Sequence, residues 1–477
     1  MNTSLPAEPR LSGATVSDRR ERGRAHTSGK VRILLAEQFY YPDGHGAAQL
    51  PVDVTTHLAS AGFAVEVICG SKPYAPLEGD PPPDPRSFGV RIRRVPTLLP
   101  GSVHRGRLLR QLWFSVALIP WLFLRRPPHV FITQTAPPIA MILVGAAARL
   151  WRRPYVIISM DVYPDVLIAH GGSGAGVILG RMLAPAFTWA YRQARRVIAL
   201  GPEMRGRLEG KGVDAERIVE IPNWATGALG VVPAAENRLR REWGLEHKFV
   251  LFYSGNLGLV HEFDTLLRGV RRALDSVPSL RVVFVGGGQR LAEVRRLVDE
   301  LGLKDITRFS DLLPPQRLPE SFGVADLAIV TLRPEFAGLV VPSKLQGYMA
   351  RGIPVLYIGP SSDAEQFIKS AAGGVCVAVN DVQGVAAALI ELAADPRRLQ
   401  QFGDNAQHFY AREFARERGL ARYERVIRSI TAADQPVTDV DGTAGTVEGR
   451  ALPTAVTRRA DATLGEAADQ QGGNWPR

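Results

Sequence analysis

Short β-branched runs alternate with longer helical patterns along the first half of the chain. "VRILLAE", "VEVIC", "RIRRVP", "HVFITQ", "YVIIS" and "RVIAL" read as strands, with helices between them from about residue 46, near 105–124, 138–150 and 174–194. Such alternation predicts a parallel sheet covered by helices on both faces. "IVEIPNWATGALGVVPAAENRLRREWGLEHK" then carries turn residues and a short charged helix, as a linker does, and the pattern restarts. "FVLFYSG", "RVVFVGG", "ITRFS", "LAIVTL", "PVLYIG" and "VCVAV" predict a second sheet, with helices near 262–276, 290–301 and 363–371 and one opened by Ser343. The expected fold is α/β: two tandem Rossmann-like domains with a cleft between them and ligands at the carboxyl ends of the strands. The expected boundaries are a basic arm over 1–29, a first domain over 30–225, a linker over 226–248, a second domain over 249–400, C-terminal helices over 401–432 and a tail over 433–477. The arm and tail lack a lasting apolar period and read as disordered.

Composition changes this picture little. A chain of 477 residues with 45% hydrophobic and 22% charged residues suits two domains of ordinary size. Cys69 and Cys376 lie in apolar strand-like runs, as buried thiols do, and the amino terminus has no apolar secretion core; the expected location is the cytoplasm. Charge changes it more. The net charge is +11, and between Gly101 and Gly210 there are 14 arginines against Asp161, Asp165, Glu203 and Glu209. No nucleic-acid module accompanies them, which leaves phosphorylated ligands or an anionic membrane surface. "LLRQLWFSVALIPWLFLRR" and "PPIAMILVGAAARLWRR" are each broken by Pro or Arg short of the roughly 20 residues that span a bilayer. The first, with Trp113 and Trp121, could dock peripherally on the inner membrane face or pack in the core.

Candidate chemistry gathers at strand ends. "YPDGHGAAQL" sets Gly44 and Gly46 after the first strand, where glycine lets a backbone approach a ligand. "YSGNLG" sets Gly255, Asn256 and Gly258 after the first strand of the second sheet, and "VGGGQR" sets Gly286 and Gly287 after the next. The latter fails as a dinucleotide fingerprint because Leu291 occupies the third glycine's position. "VPSKLQGYMARGIPVL" opens a short helix with Ser343 and Lys344, a hydroxyl and an ammonium at a helix start. All three elements follow strands of one sheet and should converge on one edge as a site for a phosphorylated ligand. Asp161, in "ISMDVYPD", ends a strand of the first half, where a carboxylate can orient a hydroxyl, act as base or simply cap a helix. No His, Cys or carboxylate cluster has metal-ligand spacing, no cofactor is expected, and "DVDG" at 439–442 falls in the tail.

The ordered set "YPDGHGAAQL", "TQTAPPIA", "IPNWA", "FYSGNLG", "VFVGGGQ" and "VPSKLQGYMARGIPVL" resembles the retaining glycosyltransferases of family 4, of the GT-B fold, over about Val31–Ile430. Within them it resembles the bacterial branch building O-antigen and exopolysaccharide, including fucosaminyl transferases. The resemblance implies a nucleotide-sugar donor, usually UDP-linked, in the second domain, and a saccharide acceptor, lipid-linked in many members, in the first. It implies that Ser343 and Lys344 receive the donor phosphates without a metal and that Asp161 lies near the acceptor. Departures are specific. The family's Glu-x7-Glu pair falls on Leu339 and Gly347, its Arg and Lys after the first strand of the second domain on Asn256 and His261, and its acceptor-side histidine on Met160. A nucleotide-sugar epimerase of the same fold, or a non-catalytic nucleotide-sugar-binding partner, would share most of these features.

Overall fold

The computed structural model describes residues 29–43, 46–71, 83–96, 107–171, 174–227 and 229–433. The expected arm and tail lie outside these residues, apart from Gly29 and Ala433, as do Gly44 and the "DVDG" stretch.

Strands β1 (Arg32–Ala36), β2 (Ala64–Gly70), β3 (Arg91–Val95), β4 (Val130–Gln134), β5 (Tyr155–Ile158), β6 (Arg196–Ala199) and β7 (Ile218–Glu220) form a seven-stranded parallel sheet in the order 3-2-1-4-5-6-7. Strands β8 (Phe249–Ser254), β9 (Leu280–Val285), β10 (Thr307–Ser310), β11 (Leu327–Thr331), β12 (Val355–Ile358) and β13 (Gly374–Val377) form a second in the order 10-9-8-11-12-13. Each order reverses direction once, between β1 and β4 and between β8 and β11. Parallel strands covered on both faces have no polar side, so β4, β5, β11 and β12 are buried at every position. This is the two-sheet α/β architecture expected from the sequence.

Helices Arg107–Phe123, Pro138–Leu150 and Gly174–Gln193 cover one face of the first sheet through Phe114, Leu118, Met141, Val144 and Phe187. The other face takes Leu50 and Val54 from the Gly46–Ser60 helix, and also Tyr423, Ile427 and Ile430 from the Arg416–Ala433 helix. The last helix therefore leaves the second sheet and packs on the first, fixed there by Glu424 to His57 at 2.8 Å and Arg416 to Asp53 at 2.7 Å. The Pro396–Phe409 helix runs continuously across residue 400, where the sequence reading ended its second domain. Ile218–Glu220, read as the start of a linker region, is instead the seventh strand of the first sheet.

Candidate functional site

In doubly wound sheets a crevice opens at the carboxyl ends of the strands where the order reverses. At the second sheet's reversal, the chain leaves β8 through Gly255, Asn256, Leu257 and Gly258, and leaves β11 toward the Lys344–Ala350 helix. Lys344 meets the β8 loop directly. Its Nζ donates to the Asn256 carbonyl at 3.2 Å, lies 3.2 Å from His261 Nε2, and sits 4.8 Å from the centre of the Tyr253 ring. His261 Nδ1 is 2.9 Å from the Thr331 carbonyl at the end of β11. A carbonyl can only accept, so Nδ1 carries the ring proton and Nε2 offers its lone pair to the lysine. Burial, with Lys344 and Arg290 nearby, drives the His261 pKa down to about 3 and keeps the ring neutral. Burial also pushes the Lys344 ammonium down to about 8. A cation held by a carbonyl, a neutral imidazole and a ring face, with no carboxylate among these contacts, is poised for an incoming anion.

The glycines shape this edge. Gly255 has φ +119°, and a Cβ there would stand 3.1 Å from Lys344 Cε. Gly286 has φ +117°, and a Cβ there would stand 2.5 Å from the Gly255 carbonyl, so the β9 loop can approach the β8 loop this closely only because Gly286 lacks a side chain. The amides of Gly255 and Gly286 are spent on Val285 and Ser310 carbonyls, both at 2.8 Å. Among the described residues the amides of Asn256, Gly258, Gly287 and Gly288 take no partner; Asn256, Gly287 and Gly288 are exposed and Gly258 is buried. Ser343 is exposed at the helix start and makes no capping bond with its side chain. The β8 loop, the Gly286 loop and Lys344 thus converge as the sequence reading expected, while Gly46 opens its helix on the first half.

Asp161 belongs to a different contact. It pairs antiparallel with Val340, and the Val162 amide donates to the Leu339 carbonyl at 2.9 Å, joining the two halves by backbone. Its own amide donates to Thr135 Oγ1 at 3.2 Å. Among the described residues no hydrogen bond or ion pair joins Asp161 to Lys344. Leu339 is buried in the first half's core with Val341. A second cross-half contact was not foreseen: Asp363 accepts from the amides of Glu203 at 2.7 Å and Met204 at 3.2 Å, at the start of the Pro202–Gly210 helix. A Cβ on Gly201 would lie 2.4 Å from that carboxylate, so glycine makes room for it. The sequence signals were only a glycine before a Pro-led helix in one half and "SSDAEQ" in the other. Among the described residues no group of three or more His, Cys, Asp or Glu side chains is placed to hold a metal.

Residues 46–224 match the family described as Glycosyl transferase 4-like domain, and residues 235–409 match Glycosyl transferases group 1. The chain belongs to glycosyltransferase family 4. It is 25% identical over 428 residues to the putative colanic acid biosynthesis glycosyl transferase WcaI of Escherichia coli, covering 83% of this chain and 98% of that protein. It is 28% identical over 226 residues to a GDP-mannose-dependent phosphatidylinositol monomannoside mannosyltransferase of Mycolicibacterium smegmatis, covering 47% of this chain and 56% of that protein. The chain therefore spans little over half the length of that relative and nearly all of WcaI. The crystal structure of Anabaena HepE in complex with UDP superposes with a TM-score of 0.62 at 15% identity, over 84% of this chain and 100% of that one, and shares the GT-B fold. Of the two positions on which the resemblance places the family's glutamates, Leu339 is buried at 5% exposure, and at Gly347 a Cβ would meet an Arg351 nitrogen at 3.6 Å.

Proposed function

We propose that this glycosyltransferase moves a sugar from a nucleoside diphosphate carrier, UDP by preference, to a saccharide acceptor in cell-surface polysaccharide synthesis. The observation that carries the reading is the Lys344 ammonium at the reversal point of the second sheet, held by Asn256 and neutral His261 with no counter-charge among these contacts. The bond from the anomeric carbon to the diphosphate oxygen breaks, the acceptor oxygen bonds that carbon and gives its proton to the departing diphosphate oxygen, and the charge that develops on the diphosphate before that proton arrives is met by Lys344 and the Asn256 and Gly287 amides. Interactions that strengthen with that charge lower the barrier rather than only tightening binding. Asp161 would orient the acceptor hydroxyl, and the expected outcome is retention at the anomeric carbon with a hexosyl or N-acetylhexosaminyl donor.

The acceptor is proposed to be lipid-linked and met at a membrane surface. No described helix is long and apolar enough to cross a membrane. The Arg107–Phe123 helix nevertheless exposes Leu109, Leu112, Val116 and Ile119 at helical spacing, while Phe114, Leu118 and Leu122 face the core. Both sequence alternatives for this segment therefore find support, one on each side of one helix. The testing experiment is a panel of UDP-, GDP- and dTDP-sugars scored first by thermal stabilisation and then by transfer to lipid extracts. A ligand at 100 times its Kd stabilises by about 2.7 kcal/mol. Stabilisation by no nucleotide sugar would refute the proposal.

A further inference from the structure

The first sheet reverses direction as well, and the crevice there lies at the carboxyl ends of β1 and β4. Glu37 follows β1 and Gln134 ends β4, each one residue beyond the register pair Ala36–Thr133. Alternation gives them one face of the sheet, that of Leu35 and Ile132, and both are buried at 2% exposure. Glu37 Oε1 accepts from the Phe39 amide at 3.3 Å, whereas Glu37 Oε2 and Gln134 Nε2 take no hydrogen bond among the described residues. Burial raises the Glu37 pKa well above the ordinary carboxyl value, against the pull of the Phe39 and Gln38 amides and with a further push from Asp43. No cation is among the groups that act on it. Arg94, which comes within 3.9 Å of Cys69 Sγ on the neighbouring strand, is held by the Gly70 and Tyr41 carbonyls at 3.4 and 2.6 Å. Glu37 is therefore a carboxylic acid, and since Oε1 accepts from Phe39, Oε2 carries the proton.

Two buried donors, an O–H and an amide NH2, thus stand at the reversal point with nothing among the described residues to accept from them, and such groups cost folding free energy until something meets them. Thr135, the residue after Gln134, ties this corner to Asp161, because its Oγ1 accepts from the amides of Met160 at 3.0 Å and Asp161 at 3.2 Å. The complementary ligand group is an oxygen acceptor. It is also uncharged, since a phosphate or carboxylate would be buried beside Asp43 without a cation to balance it. We propose that Glu37 and Gln134 donate to oxygens of the acceptor sugar and restrict it to a neutral ring, bearing hydroxyl or acetamido groups, to the exclusion of uronic and phosphorylated sugars. Both donor atoms are closed to solvent in the free protein, so the acceptor reaches them by displacing the turn that begins at Gln38. The inference rests on the transferase reading above and names the class of its acceptor.

The test uses the full chain and the nucleotide sugar that stabilises it most. Octyl glucoside and octyl N-acetylglucosaminide, below micellar concentration, serve as neutral acceptor probes against octyl glucuronide and octyl glucoside 6-phosphate. Transfer should favour the neutral probes at least tenfold; no preference, whether both classes accept or neither does, overturns the proposal. Gln134→Met removes an unpaired buried donor and should melt no lower than wild type, yet lower kcat/KM for the neutral probe about tenfold, chiefly through KM, as the loss of one hydrogen bond does. A merely structural glutamine would show the reverse, a lower Tm at unchanged kcat/KM. Glu37→Leu should lose a similar factor, and Glu37→Gln, which keeps a donor in place, should recover most of that loss. The infrared difference between wild type and Glu37→Gln at pH 7 should show the carbonyl stretch of a protonated carboxyl, a reading that holds even where Glu37→Leu does not fold. A carboxylate signature there, or wild-type kcat/KM in folded Gln134→Met, which would leave the pair as the seat of a buried water, also overturns the proposal. Stabilisation by the nucleotide sugar should be the same in every variant, so failure here leaves the donor reading standing, whereas its absence in wild type would refute that reading instead.

Discussion

Replacing Lys344 separates a phosphate-binding lysine from an ordinary helix residue. Its folded pKa of about 8, against an ordinary value of 10.5, means that the ammonium is disfavoured by folding below pH 8 and that this penalty is relieved as pH rises from 8 toward 10.5. Lys344→Ala should therefore melt no lower than wild type at pH 7 in the absence of ligand, since Ala also propagates the helix well. Donor binding should move the other way. Removing a charge-assisted contact of about 1.5–3 kcal/mol weakens donor affinity roughly 10- to 150-fold at pH 7. The pH profile supplies a second measure. In the free protein about nine-tenths of Lys344 is charged at pH 7 and about one-tenth at pH 9, so apparent donor Kd should rise about tenfold over that interval. Lys344→Arg keeps a charge that does not titrate there and should flatten the profile while recovering only part of the affinity, because a planar fork does not occupy the point-charge position between Asn256 and His261. Titration calorimetry with a UDP-sugar across pH 7–9 reads wild type and both variants. Wild-type affinity in folded Lys344→Ala, or a wild-type profile without a break near pH 8, would refute the phosphate assignment.

Asp363→Ala should lose about 1–3 kcal/mol by stranding the buried amides of Glu203 and Met204, seen as a lower urea midpoint. Burial raises the Asp363 carboxyl to about 6, so its charge opposes folding above pH 6 and that opposition fades as pH falls; wild type should gain stability relative to Asp363→Asn between pH 7 and 5. Gly286→Ala sets a side chain at φ +117° and 2.5 Å from a carbonyl, and should lower both Tm and donor affinity in the same thermal-shift assay. Val116→Glu with Ile119→Glu changes only exposed positions and should leave Tm within about a degree while abolishing flotation with anionic vesicles; unchanged flotation would remove the membrane reading.

The strands could be read from sequence because a parallel strand buried on both faces is a largely apolar run, and Val130–Gln134 and Leu327–Thr331 are buried at every position. Ile218–Glu220 escaped because three residues before a Pro-containing turn carry no period, and only pairing with β6 makes them a strand. The convergence of Gly255, Gly286 and Lys344 was legible for a topological reason, since all three follow strands of one sheet whose order the alternation implies. The chain from Lys344 through His261 to the Thr331 carbonyl was not, since it joins groups 83 and 70 residues apart whose meeting depends on the Lys344 and His261 rotamers.

Leu339 shows how a departure from a family pattern gains meaning only in three dimensions. In the sequence it is a missing carboxylate, and the plain expectation is a weakened donor site. In the structure the segment around it has become part of the joint between the halves: Leu339 and Val340 pair with Val162 and Asp161, and Leu339 lies in the first half's core at 5% exposure. The position on which the resemblance places a donor-contacting glutamate lies here in the joint between the halves. Leu339→Glu would bury a carboxylate with no cationic partner in that core, at a cost of several kcal/mol or a strongly raised pKa. Restoring the family residue should therefore destabilise the chain before it can gain a contact to the donor, whereas Gly347→Glu, whose Cβ would make only an ordinary contact with an Arg351 nitrogen at 3.6 Å, should be tolerated and is the substitution by which donor affinity could be raised.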